Sequence, residues 1–461
     1  MTERSLIIRN VEVGGRAGLD VRLEAGRIAE IGPGLAGPGD DLDGCGGALI
    51  PGLIDHHIHL FALAAEAGSV SLDGAFGFRA QVEAALAARP EGSWVRVTGY
   101  HEAMAGELDR DVLDALAPRH RLRVQHQTGS LWVLNSAALA VTGEAGEPVE
   151  RDAADRVTGR IWRGDAWLRT RIGAEPPSFA EVGQRLASYG ITALTDASVT
   201  TDAVAAALLA DARRTGALPQ RLTLMSGGAL EAPADGAFTV GPVKVLLDDH
   251  DLPDLDAFIA WIGRARSWGR AVAVHCVTAA ELAISLAAFD AAGARPGDRI
   301  EHGGVIPEAA IPRLKAMGLT VVTQPAFVRE RGDRYLAEVD PAEHADLYRC
   351  ASLRAAGVPV ALSSDAPYAS PDPWAAMTTA ADRRTRGGQV VAGSERVSSA
   401  DALAMHLGAT TDPGGPAQRV EIGAPADLCL LAAPLADALA APSAALVRAT
   451  IVDGRMVFAA N

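Results

Sequence analysis

Eight apolar runs of strand length, spaced by helix-length segments, constrain this chain more than any other feature. They are "ALIPGLIDHHIHL" (48–60), "ITALTDAS" (191–198), "RLTLMS" (221–226), "GPVKVLLDD" (241–249), "AVAVHC" (271–276), "RIEHGG" (299–304), "LTVVTQP" (319–325) and "VPVALSSD" (358–365). Near-continuous apolar runs fit strands buried on both faces, as in a parallel sheet. The segments between them carry helix signals. "SFAEVGQRLASYG" and "TAAELAISLAAFDAAG" open on capping-box pairs, Ser178 with Glu181 and Thr278 with Glu281. Gly190, Gly216, Gly269, Gly293, Gly318 and Gly357 stand where helices must stop before the next strand. Eight such units predict an α/β fold, a parallel (β/α)8 TIM barrel. An open doubly wound sheet is the alternative, but no glycine-rich phosphate loop follows any strand.

The two ends of the chain read differently. "SLIIRNVEV", "DVRLEAGRIAEIG", "ADLCLLAAPL" and "RATIVDGRMVF" are strand-like, with hairpin turns at Ala25-Gly26 and Asp453-Gly454. Neither end has strands enough for its own core. Residues 1–50 and 415–461 are therefore expected to meet in one small β-sandwich domain, with the barrel spanning 51–414. Residues 61–185 exceed a single barrel step. They hold helical patterns, a strand-like "RLRVQHQT" and the Trp-rich "RIWRGDAWLRT". They are predicted to be an insertion after the first barrel strand, covering the face where barrel active sites lie.

With 49% hydrophobic and 21% charged residues, the 461-residue chain has the balance of a packed soluble enzyme. Its net charge of −15, from 42 basic and 57 acidic residues, argues against nucleic acid or an anionic membrane as partner. No apolar stretch approaches the ~20 residues needed to span a bilayer, and "MTERSLIIRN" does not read as a signal peptide. Cys45, Cys276, Cys350 and Cys429 are scattered, which suggests reduced thiols. The expectation is a cytoplasmic homodimer acting on a small-molecule substrate.

Alternation puts His57 and His59 on one face of the first strand, with His56 and Ile58 on the other. Roughly 6–7 Å apart at the backbone by strand rise, the pair can converge on one metal with bonds of ~2.0–2.1 Å. Alone, such a pair is as readily an ordinary hydrogen-bonding strand end, and His56 keeps that reading. The partners shift the balance. His275, His302 and Asp365 stand at the C-terminal edges of their predicted strands, where barrel enzymes place catalytic groups. Lys244 lies between Val243 and Val245 in a strand expected to be buried, where an ammonium is costly unless paired or neutralised. Paired with Asp248, Glu301 or Asp365 it would be an ordinary buried lysine. As a neutral amine it can add carbon dioxide and become a carbamate, an anion able to bridge two divalent ions. Beside four histidines the carbamate is the preferred reading.

In this order "PGLIDHHIHL", the mid-strand lysine, "VAVH", "RIEH" and "SSD" resemble the amidohydrolase superfamily over nearly the whole chain, including "GAPADLCLL" and "VRATIVDG" at its end. The long insertion and "EHGG…QP…SSDAP" resemble the branch that includes N-substituted formamide deformylases. The resemblance implies two divalent ions, taken as zinc. His57, His59 and Asp365 would hold the first, His275 and His302 the second, and the carbamate of Lys244 would bridge both. It also implies hydrolysis of a C–N bond (amide, N-acyl, N-formyl or cyclic amide) by a metal-bridging hydroxide, with Asp365 moving the proton. Where relatives often carry Asp-Gly-His before the Asn-Ser of the insertion, this chain has Thr128-Gly129-Ser130.

A metal-dependent deaminase of this superfamily would carry a Glu three residues after the fifth-strand histidine; here that position is Thr278. Lactone or ester hydrolysis is open to the same centre, whereas a non-enzymatic scaffold would have lost ligands. His101, Trp132 and Arg163 in the insertion, and Gln324, Arg331 and Tyr335 after the seventh strand, are the candidate substrate contacts. The two arginines would suit a carboxylate.

Overall fold

The computed structural model describes residues 5–37, 39–72, 77–146, 148–172 and 178–460. The chain forms two compact units, Met1–Leu60 with Phe179–Asn461, and Phe61–Ser178.

The first unit contains the barrel. Its strands are Leu53–Ile58, Ile191–Asp196, Arg221–Ser226, Thr239–Val245, Val272–Cys276, Arg299–His302, Thr320–Thr323 and Val360–Leu362. They pair in parallel in chain order. Past the last strand, Asp365 N donates to His57 O at 2.8 Å and His59 N to Ala366 O at 2.9 Å, which joins the eighth strand's end to the first. The first, second, sixth, seventh and eighth strands are buried at every residue, as apolar strands between core and helix layer should be.

The helix signals act largely as expected. Thr278 and Glu281 form a reciprocal capping box on Ala279–Ala292. Helix Ala180–Ser188 instead has its N-cap at Phe179, one residue after Ser178. Phe179 is 6% exposed; burying a phenyl ring outweighs a serine cap worth about 1 kcal/mol. This helix, counted within the expected insertion, lies in the barrel unit. It buries Val182, Leu186 and Ala187, and Gln220 Nε2 donates to Gly183 O at 2.8 Å.

The run 48–60 forms two strands, not one. Leu49–Pro51 pairs antiparallel with Leu428–Leu431, and the barrel strand begins at Leu53. Gly52 makes the corner, where a Cβ would stand 2.1 Å from the Thr192 side chain.

The chain ends supply two four-stranded sheets. One holds Leu6–Val13, Arg16–Glu24, Arg27–Gly32 and Asp40–Asp43; the other holds Leu49–Pro51, Leu428–Leu431, Val447–Val452 and Arg455–Ala459. They share one core, in which Ile8, Val21 and Ile28 pack with Leu428, Leu430 and Ile451. The hairpins turn at Ala25-Gly26 and Asp453-Gly454, all four residues with φ between 49° and 73°, as type I′ turns require.

The second unit is built on a six-stranded sheet in the order Val149–Arg151, Val157–Trp162, Leu131–Leu134, Arg121–His126, Trp94–Tyr100, Val70–Ser71. Val95, Val97, Leu122 and Val124 pack with helices Phe78–Ala87 and Arg110–Leu116; Trp132, Leu134 and Ile161 belong to a separate cluster with Leu139 and Leu168. Among the described residues no helix is long and apolar enough to cross a membrane, and all four cysteines are free thiols.

Candidate metal centre

Five barrel strands bring six residues together. Asp365 Oδ1 lies 3.1 Å from His59 Nε2 and 3.4 Å from His57 Nε2, and Oδ2 lies 3.8 Å from His302 Nδ1. Lys244 Nζ is 3.4 Å from His57 Nε2. The imidazole of His302 stands 4.7 Å from that of His57 and 4.5 Å from that of His275, centroid to centroid. All but His59 and His275 are buried.

Alternation alone would not gather this set, because Glu301 and His302 are neighbours on one strand and both reach His57. His302 has φ +70°, and Asp365 has φ +57°. Left-handed backbone at a non-glycine residue costs on the order of 1–3 kcal/mol. The surroundings hold both turns. Gly304 N donates to Cys276 O at 3.1 Å. Beside Asp365, Asp55 accepts from Ser364 N at 3.0 Å and Ser364 Oγ at 2.5 Å, and from His57 N at 3.2 Å. Burial pushes the Asp55 carboxyl up to about 6, opposed by these donors.

Hydrogen bonding fixes where the ring protons sit. His57 Nδ1 meets the Glu301 carboxylate, which can only accept. His302 Nδ1 is 3.0 Å from Gln324 Oε1, while Gln324 Nε2 donates to Ser363 Oγ at 2.9 Å, so the amide turns its oxygen to the ring. His59 Nδ1 lies 3.1 Å from Ser198 Oγ. Burial drives His57 and His302 well below the usual imidazole range, His275 to about 3, and Lys244 downward.

Burial disfavours the charged form of both rings, and with the proton on Nδ1 each carries a lone pair on Nε2, that of His57 lying 3.4 Å from Lys244 Nζ. His57 Nε2 faces Asp365 Oδ1, a buried oxygen with no hydrogen-bond donor among the described residues. Lone pairs facing a carboxylate repel unless a cation stands between them. Neutral imidazoles, a carboxylate and an amine are ligands for a divalent transition metal, so the donor set fits such an ion. His57, His59 and Asp365 each offer a ligand atom within 4.8 Å of the others.

The remaining expected site residues fall in other places. Gln324 is fully buried and supports His302, with its amide donors directed to Ser363 Oγ and Val322 O. Arg331 stacks on Phe327 at 4.5 Å and donates to Tyr368 O at 2.8 Å; the Tyr368 ring in turn meets His59 edge-on at 5.6 Å. Tyr335 shares a hydroxyl contact of 3.1 Å with Tyr348. His56 is buried, and neither ring nitrogen has a hydrogen-bond partner among the described residues. In the second unit, Trp132 is a core residue whose Nε1 donates to Asp165 Oδ1 at 2.9 Å. Arg163 is exposed, with φ +50°.

His101 belongs to another cluster, with Glu102 and His126. Its Nδ1 accepts from Ala103 N at 3.1 Å as a helix N-cap, so a neutral ring carries its proton on Nε2. His126 Nε2 is 3.1 Å from Glu102 Oε2, while its Nδ1 accepts from Thr128 N at 3.2 Å. Here two N–H donors surround a carboxylate and no cation is required. Glu301, Asp55, Ser198 and Ser364 were not among the expected site residues. Glu301 and Asp55 carried a signal, as charged residues inside apolar runs beside His302 and His56.

The model of the amidohydrolase family matches residues 41–458. An N-substituted formamide deformylase from Arthrobacter pascens is 26% identical over 87% of this chain and 86% of its own length. Two solved structures share the fold, both uncharacterised metal-dependent hydrolases. The one from Pyrococcus horikoshii OT3 has a TM-score of 0.75 at 18% identity, over 98% of this chain and 99% of that one. The one from Pyrococcus furiosus has a TM-score of 0.72 at 20% identity, over 91% and 97%. The family match runs from before the first barrel strand into the last strand of the chain, taking in all six gathered residues. The chain therefore belongs to the amidohydrolase family and is a hydrolase of carbon–nitrogen bonds.

Proposed function

We propose that this enzyme hydrolyses the C–N bond of a small N-acyl, N-formyl or cyclic amide using two divalent ions, most simply zinc. His57, His59 and Asp365 would hold one, His275 and His302 the other, with Lys244 as a carbamate between them. The observation that carries the reading is Asp365 Oδ1, buried without a donor among the described residues and turned towards the Nε2 atoms of His57 and His59. When bound, the ions supply a Lewis acid for the scissile carbonyl and acidify water. Lys244, whose pKa burial lowers, would bond in its neutral amine form through Nζ to the carbon of carbon dioxide and release one N–H proton. Asp365 takes the proton of the attacking water and hands it to the leaving nitrogen. Glu301, Ser198 and Gln324 hold the imidazoles in place.

The printed activity of the Arthrobacter relative favours N-formyl compounds as the first substrates to try. Deamination is less well supported. Thr278, where a deaminase would need its acid, accepts from Glu281 N at 3.2 Å and donates to Asp249 Oδ1 at 2.9 Å. Zinc-loaded protein should release formate or another acid, with the amine, from at least one member of a panel of N-formyl, N-acyl and cyclic amides, and chelation should abolish this. Hydrolysis that survives complete metal removal would refute the proposal.

A further inference from the structure

Glu301 is wholly buried between a guanidinium and an imidazole. Its Oε1 lies 2.5 Å from Arg299 Nε, and its Oε2 hydrogen-bonds His57 Nδ1. The side chains of Glu301 and His57 are 0% exposed and that of Arg299 is 1%. A carboxylate removed from water needs strong partners. Arg299 answers its charge, yet the second oxygen is turned across the barrel to a residue 244 positions away. Arg299 is itself fixed, with Nη2 3.4 Å from His56 O and 3.7 Å from Met225 Sδ. A carboxylate cannot donate, so His57 keeps its proton on Nδ1 and its lone pair on Nε2. Nε2 is the atom that stands 3.4 Å from both Lys244 Nζ and Asp365 Oδ1.

We infer that Glu301, anchored by Arg299, is a positioning residue that fixes the tautomer and orientation of His57 for metal binding. The inference rests on the metal reading above, and its chemistry sets what each substitution does. Glu301→Gln keeps the size but replaces one acceptor with an NH2 group. Facing His57, that group draws the proton to Nε2 and blocks ligation; facing Arg299, it sets donor against donor. Glu301→Asp keeps the charge opposite Arg299 but falls one methylene short of His57.

The test uses the full-length protein, stripped of metal and titrated with zinc against a chromophoric chelator. Both variants should bind zinc roughly 10–100-fold more weakly than wild type, the usual range for losing an outer-sphere partner. Affinity equal to wild type in either folded variant overturns the inference. If Glu301→Gln does not fold, Glu301→Asp decides. Should wild type bind no zinc, the metal reading falls, and the inference is then judged from His57 15N shifts in metal-free protein. A proton on Nδ1 in wild type that is lost in a variant supports it; one tautomer throughout overturns it.

Discussion

Lys244 Nζ, on the fourth barrel strand, stands 3.4 Å from His57 Nε2 on the first. No carboxylate lies within ion-pairing distance of Nζ among the described residues, and burial lowers its pKa. Burial of this kind favours the neutral amine that the proposed carbamate requires. Lys244→Ala should lose most bound metal and activity, and short carboxylic acids at millimolar concentration should restore part of both. Full metal content and rate in the variant would make Lys244 an ordinary buried lysine.

Metal analysis should give two divalent ions per chain in protein loaded in the presence of bicarbonate. Zinc at a hundredfold excess over its Kd contributes about 3 kcal/mol to stability, so stripping it should lower Tm and adding it back should reverse the loss. A constant value of one ion per chain would leave a mononuclear site.

Asp365→Asn should lower turnover by roughly two orders of magnitude or more, the usual weight of a positioned proton carrier. The amide can still occupy the same space, so far-UV circular dichroism should not change. Wild-type turnover in this variant would remove Asp365 from proton transfer.

His406 is buried, with Nδ1 3.2 Å from Ile54 O, and burial pushes its pKa down to about 4. The unfolded chain gains its proton near pH 6.5 and the folded one only near 4, so stability falls as pH drops through that window. The difference amounts to about 3 kcal/mol at most. Urea melts of metal-free wild type and His406→Gln at pH 7 and pH 5 would read it. The variant should lose about 2 kcal/mol less than wild type between the two; parallel losses would contradict the assignment.

Arg331→Ala should raise KM several-fold and leave metal content unchanged, because Arg331 holds Tyr368 O, and the Tyr368 ring in turn meets His59. A fall in metal content would instead tie Arg331 to the proposed metal ligands.

The barrel and its six gathered residues were legible because both follow local rules, apolar runs of a set length and polar residues at their ends. The corner at Gly52 was not, since one glycine inside an apolar run leaves the pattern unbroken; Thr192, which crowds it, is 140 residues away. The strand Asp40–Asp43 has no strand-forming residues beyond Leu42. It pairs through its backbone with Leu6–Arg9 and through Asp41 with Arg9 at 3.0 Å. Most of the insertion's sheet was missed because Trp94, Arg96, Arg123 and Trp132 stack through cation–π contacts of 5.2–5.7 Å, which blurs the apolar alternation. Glu301 and Gln324 matter through partners that no local pattern specifies.

The corner at Gly52 also bears on how the molecule is made. Leu49 pairs with Leu430, Ile54 N donates to His406 O at 2.9 Å, and Asp55 holds Ser364. Every edge partner of this segment except the second barrel strand is thus synthesised more than three hundred residues later. During translation the strand bearing His57 and His59 must wait, one side unpaired, while most of the barrel emerges. Contacts so distant in sequence form slowly, and an unpaired apolar strand edge is where chains associate wrongly. The strand bearing His57 and His59 is therefore a segment of the nascent chain open to wrong association until its late partners arrive.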